Sequence, residues 1–297
     1  MSELSSFLNT RYPWQNSKRD AVVKHIEGLW EKFRPHANNH FFFEICSGSE
    51  GKFQQRYWEM LLGCWFLDQG IELLPHQEKG PDIAMQYEGR KIFFEAIAPE
   101  SGTGQDKVPE LVPQRLGEEP LKVNRVPDRE MLLRWTAAFH EKFKRFSEYL
   151  QKGIVSQKDI CVIAINPGQL GPWGFDGIST YPAVLEAVYP IGCQQVTFHL
   201  EQPEKTTVGL QHRPMIEKAN KSQVATTPFV DPKYAMISAV LATHRDDNHI
   251  LNSAKPFIVV HNLLATNPMP SGLLSVDDDY WLEKREQGYK VCSRGVT

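Results

Sequence analysis

The run Ile160-Cys-Val-Ile-Ala-Ile165 constrains the fold more than any other part of this 297-residue chain. Six consecutive apolar residues, several of them β-branched, fit a strand buried on both faces, as in a parallel sheet covered by helices. The preceding segment supplies such a cover. From about Asp128 to Lys152, the residues Leu132, Trp135, Phe139, Phe143, Phe146 and Leu150 recur on one helical face, and Arg134, Ala138, Glu141, Lys142 and Arg145 lie on the adjoining face. An amphipathic helix leading into a doubly buried strand places the chain in the α/β class.

The remaining pattern extends this reading. Val22, Ile26, Leu29, Trp30 and Phe33 predict a helix over 17–33, stopped by Pro35. Ser47-Gly-Ser-Glu50 reads as a capping box opening a second helix that runs to Gly70 and is apolar almost all round. Extended segments are expected at 71–74, 82–87 and 91–98, the last two joined by a Glu88-Gly89 hairpin turn. Residues 99–128 read as a long surface loop. Later strands are expected at 195–200, 235–243 and 257–264, and the tail from Val276, with its Asp277-Asp-Asp279 run, reads as peripheral. The expected organisation is an N-terminal helical segment (1–40), an α/β domain (41–275) and a C-terminal tail (276–297).

A net charge of −3 excludes a strongly basic nucleic-acid coat, but not a basic face. Between Arg115 and Lys158 there are ten Lys/Arg against six Asp/Glu, so the basic excess collects on the long loop and the helix after it. No apolar run approaches a membrane span and no leader pattern opens the chain. Five widely spaced cysteines form no C-x-x-C, which predicts free thiols in a cytoplasmic protein.

The chemistry centres on Gly80-Pro81-Asp82 and, after twelve residues, Glu95-Ala96-Ile97. Glu95 lies inside the apolar strand Ile92-Phe-Phe-Glu-Ala-Ile-Ala98. A carboxylate there costs several kcal/mol unless paired, protonated or bound to a cation. A hairpin brings Asp82 alongside, and a shared divalent ion would meet that cost, with carboxylate oxygens suiting Mg²⁺ or Mn²⁺. The plainer reading is a cross-strand ion pair with Arg90 or Lys91. His36 and His40 have helical i, i+4 spacing, but Pro35 and Asn38-Asn39 argue for a loop. Ser47 to Lys52 fails the Walker pattern, although as a helix start it can receive a phosphate. His244 to His249 reads as a solvated turn.

With Glu59 on the second helix, Pro81-Asp82 and Glu95-x-Ile97, the order of elements over roughly 47–166 resembles the PD-(D/E)XK nuclease superfamily. The resemblance implies a restriction-endonuclease-like mixed central sheet flanked by helices, with additional strands C-terminal. It implies Mg²⁺-dependent hydrolysis of a phosphodiester, with nucleic acid, DNA first, as partner. Asp82, Glu95 and the Ala96 carbonyl would hold the metal, and Glu59 would bind a second ion or orient a water. The chain departs from the pattern at Ile97, where the family has lysine. The best substitute is Lys142 on the following helix, ahead of Lys144 and Lys52. Arg134, Lys52 and Arg145 are the expected substrate contacts. The alternatives are a catalytically silent module of the same fold that binds nucleic acid or protein, and a hydrolase acting on a different substrate.

Overall fold

The computed structural model describes residues 3–14, 16–110, 125–171, 175–198, 200–201, 206–247, 256–286 and 288–295. Four helices come first: α1 (Glu3–Arg11), α2 (Ser17–Phe33), α3 (Phe41–Ile45) and α4 (Glu50–Asp68). The hairpin β1 (Ile83–Tyr87) and β2 (Arg90–Ile97) follows, then α5 (Asp128–Gln151), β3 (Ile160–Ile165) and α6 (Ala183–Val188). The rest is β4 (Ile191–Thr197), β5 (Thr207–His212), β6 (Met215–Glu217), β7 (Gln223–Ala225), β8 (Ala239–Thr243), β9 (Phe257–His261), β10 (Asp278–Lys284) and β11 (Tyr289–Gly295). The chain is thus α/β, with a seven-stranded mixed sheet of order β1-β2-β3-β8-β9-β10-β11. The β2–β3, β3–β8 and β9–β10 pairs are parallel, and the others antiparallel.

Alternation along the strands assigns each face its own core. Ile92, Phe94 and Ala96 of β2, with Ile160, Val162 and Ala164 of β3, pack under α1 to α4. Phe93 and Ile97, with Cys161, Ile163 and Ile165, pack under α5 and α6. All six residues of β3 are buried, which is why the run is apolar throughout. Glu88 and Gly89 both take positive φ (46° and 77°), the backbone a two-residue hairpin turn requires.

Several expectations need correction. The segment 71–74 makes only an isolated bridge, Leu73 to Met85, because Leu73 alone is buried there and Pro75 follows. The Ser47–Glu50 capping box does not form. Ser47 instead closes the short helix α3 by donating to the Glu44 carbonyl at 2.8 Å, and Ser49 takes the cap position without a side-chain bond. The tail from Val276 is not peripheral: β10 and β11 complete the sheet, and Val276 and Leu282 are buried. The acidic run conceals this because two of its carboxylates have a local task, Asp277 accepting from the Phe257 amide at 2.7 Å and buried Asp279 pairing with His261 at 2.5 Å. The strand expected at 195–200 begins earlier and joins β5 in a separate two-stranded sheet. The turn after β8 is not solvated: Asp247 is fully buried and takes hydrogen bonds from Tyr12, Arg11 (3.1 Å) and Gln54 (2.8 Å). Leu4, Leu8, Val22 and Ile26 of the N-terminal helical segment share the core with Phe53 and Trp58. His249 and much of the expected loop, including Arg115, Glu118, Glu119 and Lys122, lie outside the described residues.

Candidate active site

The site forms where β1 and β2 part. Their register runs from Tyr87–Arg90 to Ile83–Phe94, and beyond it Pro81 turns the chain away. The backbone groups of β2 past Phe94 on that side therefore need other partners. Asp82 accepts the Ala96 amide at 2.8 Å. The Gln55 carboxamide of α4 donates to the Ala96 carbonyl at 2.9 Å and accepts the Ala98 amide at 3.0 Å.

Glu95 lies between Phe93 and Ile97 on the face of β2 toward α5 and is 2% exposed. Lys142 meets it from that helix. Spaced three residues from buried Phe139 and four from buried Phe146, Lys142 falls in line with the apolar stripe and projects toward the sheet. Its Nζ donates to Glu95 Oε2 at 2.8 Å and lies 3.6 Å from Asp82 Oδ2. Ile97 is buried and supplies no cation. Glu95 Oε1 is buried without a hydrogen-bond partner among the described residues. Tyr149, two turns beyond Lys142, donates to the Gly80 carbonyl at 3.1 Å and so braces the turn that presents Asp82.

Electrostatics couple these groups. Burial, reinforced by the Asp82 charge, raises the Glu95 carboxyl to about 7 against the partial relief given by Lys142. Burial pulls the Lys142 ammonium down, but the fields of Asp82 and Glu95 outweigh it and hold Lys142 above its ordinary value. Burial and then Glu95 raise the Tyr149 phenol.

Glu59 is also buried, but its oxygens are engaged elsewhere, Oε1 by Gln55 at 2.9 Å and Oε2 by Arg56 at 2.5 Å. Burial and the Asp82 charge raise it to about 7 as well. Among the described residues no three carboxylate, histidine or cysteine side chains form a ready metal cage. The expected metal set thus divides: Asp82 and Glu95 converge on one ammonium, the Ala96 carbonyl already accepts from Gln55, and Glu59 is tied to Arg56.

A cleft of about 560 Å³ opens beside Ile97 and Gln55, lined by Ser49, Gly51, Lys52, Arg56, Arg134 and Glu141 among others. Lys52 is exposed and has no ion pair among the described residues. The Arg134 Nε is buried with no partner among them, and Gly102, at φ +82°, lies directly against the guanidinium. Arg145 is not brought to the cleft; it is exposed, 3.8 Å from Glu148. His36 sits in a 3-10 turn and His40 at the cap of α3, with no metal cluster among the described residues. Asn262 holds the Tyr234 and Ile237 carbonyls at 3.1 and 2.7 Å, a structural task.

The pairing of Glu59 with Arg56 is the one that a helical i, i+3 reading of Glu59 offers. Sequence reasoning missed Gln55 and Tyr149. Their only signal is helical spacing: Gln55 is one turn before Glu59, and Tyr149 is seven residues after Lys142. Among the described residues no helix is long and apolar enough to cross a membrane. No protein family, characterised protein or solved structure matches the chain.

Proposed function

We propose that the chain is a metal-dependent phosphodiester hydrolase of PD-(D/E)XK type, endonuclease-like, with a relocated lysine and a restriction-endonuclease-like core. The observation that carries this reading is the meeting of Lys142, from α5, with Asp82 and Glu95 at the parting of β1 and β2. The substrate class is nucleic acid, DNA first, in a cytoplasmic setting that agrees with the free thiols.

The donors fit a hard divalent cation. Glu95 Oε1 is a buried oxygen without a hydrogen-bond partner among the described residues, and Asp82 stands beside the same ammonium. Asp82 and Glu95 would hold Mg²⁺ or Mn²⁺, with the second lone pair of the Ala96 carbonyl available to it. When bound, such an ion lowers the pKa of a water and offsets charge on the phosphate. Lys142, released from part of its pairing, orients the attacking water and stabilises charge on the phosphate oxygens. Tyr149 keeps the Asp82 turn in place. Arg134 and Lys52 hold flanking phosphates in the cleft, the guanidinium in bidentate fashion. Glu59 supports the site through Gln55 and Arg56.

A second reading is favoured by the same ion pair. Lys142 already neutralises the two carboxylates, as expected of a catalytically silent module that binds nucleic acid or protein with the cleft alone. Cleavage of plasmid and single-stranded DNA with Mg²⁺ or Mn²⁺ separates the two. The hydrolase reading expects nicking by the wild type and loss of it in Asp82→Ala, Glu95→Ala and Lys142→Ala. Activity surviving in Asp82→Ala would overturn the metal assignment, and DNA binding without cleavage would favour the silent module.

A further inference from the structure

Because β1 stops pairing at Ile83, the Ala96 carbonyl and the Ala98 amide have no strand partner on that side among the described residues. One side chain supplies both. Gln55 donates from Nε2 to the Ala96 carbonyl (2.9 Å) and to Glu59 Oε1 (2.9 Å), and its Oε1 accepts from the Ala98 amide (3.0 Å). Both amide hydrogens and the acceptor are therefore engaged. The flipped amide would set an oxygen against two acceptors and an NH₂ against a donor, so only one orientation satisfies the site. Gln55 also lines the cleft, beside Ile97 and Ala98. It acts as one residue of missing strand, joining α4 to the end of β2 at the level of the carboxylates.

We infer that Gln55, itself braced by Glu59, is a positioning residue that fixes the Ala96 carbonyl for the oxygen shell of a divalent cation held by Asp82 and Glu95. The inference rests on the metal-dependent reading and adds the group that orients its ligands. An outer partner of this kind changes metal affinity by about 10- to 100-fold when removed.

The test uses the full chain with Gln55→Met, which keeps length and removes the hydrogen bonds, and Gln55→Glu, which keeps shape and removes the donors. Mn²⁺ affinity is measured by titration calorimetry, cleavage is measured against Mn²⁺ concentration, and the wild-type Gln55 side-chain amide is followed by NMR as Mg²⁺ is added. The expected result is Mn²⁺ binding weaker by about 10- to 100-fold in both variants, with cleavage recovering at saturating Mn²⁺. The Gln55 amide pair shifts as Mg²⁺ binds. A purely structural role would not give recovery by the ion. Unchanged Mn²⁺ affinity in both variants, or an amide pair unmoved by saturating Mg²⁺, overturns the inference while leaving the metal reading standing. Absence of Mn²⁺ binding by the wild type overturns the metal reading and the inference with it. If neither variant folds, the wild-type amide measurement decides.

Discussion

Lys142 and Glu95, 47 residues apart in the chain, meet at 2.8 Å between helix α5 and strand β2, and both are largely withdrawn from water, with side chains 12% and 2% exposed. Each makes the other's position tolerable. A lone Glu95 would be an ion in an apolar strand, and a lone Lys142 would be an ammonium in an aromatic stripe. The pair therefore places a cation over the Pro81-Asp82 turn without a lysine in β2 itself.

Removing one partner should cost far more than removing both charges. Lys142→Met is expected to destabilise the fold by about 3–5 kcal/mol, the usual penalty for leaving one buried charge uncompensated. Adding Glu95→Gln should recover a large part of that loss. Urea unfolding of the two single variants and the double variant measures this coupling. A Lys142→Met loss below about 1 kcal/mol, typical of an exposed pair, would show that the pair does not form in solution.

The carboxyls of Glu59 and Glu95 give stability an unusual pH dependence. Both are raised from 4.5 to about 7 by burial and then by Asp82. Between those values the folded chain holds protons that the unfolded chain releases, so their contribution to stability increases as pH falls from about 7 toward 4.5 and is lost as pH rises through 7. Unfolding by urea at pH 5, 6, 7 and 8 should show this slope, and Glu59→Gln should flatten it. A Glu59→Gln profile parallel to that of the wild type would show that Glu59 does not titrate in this window.

Much of this arrangement is legible in the sequence because burial leaves a periodic trace. Ile160 to Ile165 announces a doubly covered strand, and Glu95 stands out against the apolar residues on either side. The meeting of Lys142 with Glu95 follows from helical spacing only once β2 is known to lie beneath α5. Gln55 leaves only its spacing one turn before Glu59, because a glutamine on a helix reads the same whether it faces water or holds the end of a strand. The C-terminal strands are hidden for a related reason. Asp277 and Asp279 are polar residues satisfied by the fold, so their run mimics a solvated tail. Helix α1 buries only Leu4 and Leu8, too few to mark a helical period.

Tyr12 offers a stability test that leaves the site untouched. Its hydroxyl donates to fully buried Asp247, which also takes hydrogen bonds from Arg11 at 3.1 Å and Gln54 at 2.8 Å, so the end of α1 is fastened to the segment after β8. Tyr12→Phe should cost about 1.5–3 kcal/mol, the range for a hydrogen bond to a charged group. Mn²⁺ affinity should stay as in the wild type. A change in that affinity with unaltered stability would mean that the N-terminal segment acts on the site rather than on the fold.

Gly102, which lines the cleft without a side chain, tests it through its contact with Arg134. Its φ of +82° is strained for any L side chain, and a Cβ there would lie 2.4 Å from Arg134 Nη1. Gly102→Ala must therefore displace the guanidinium, whose buried Nε has no hydrogen-bond partner among the described residues. If Arg134 grips a flanking phosphate, both Gly102→Ala and Arg134→Gln should raise KM for DNA by roughly ten-fold, about 1.4 kcal/mol of uniform binding, with kcat little changed. The double variant should be no worse than Arg134→Gln alone, since both changes act on one contact. Steady-state cleavage of a labelled duplex gives the two constants. Additive losses would place Gly102 on a separate path, and an unchanged KM in Arg134→Gln would remove Arg134 from the substrate contacts.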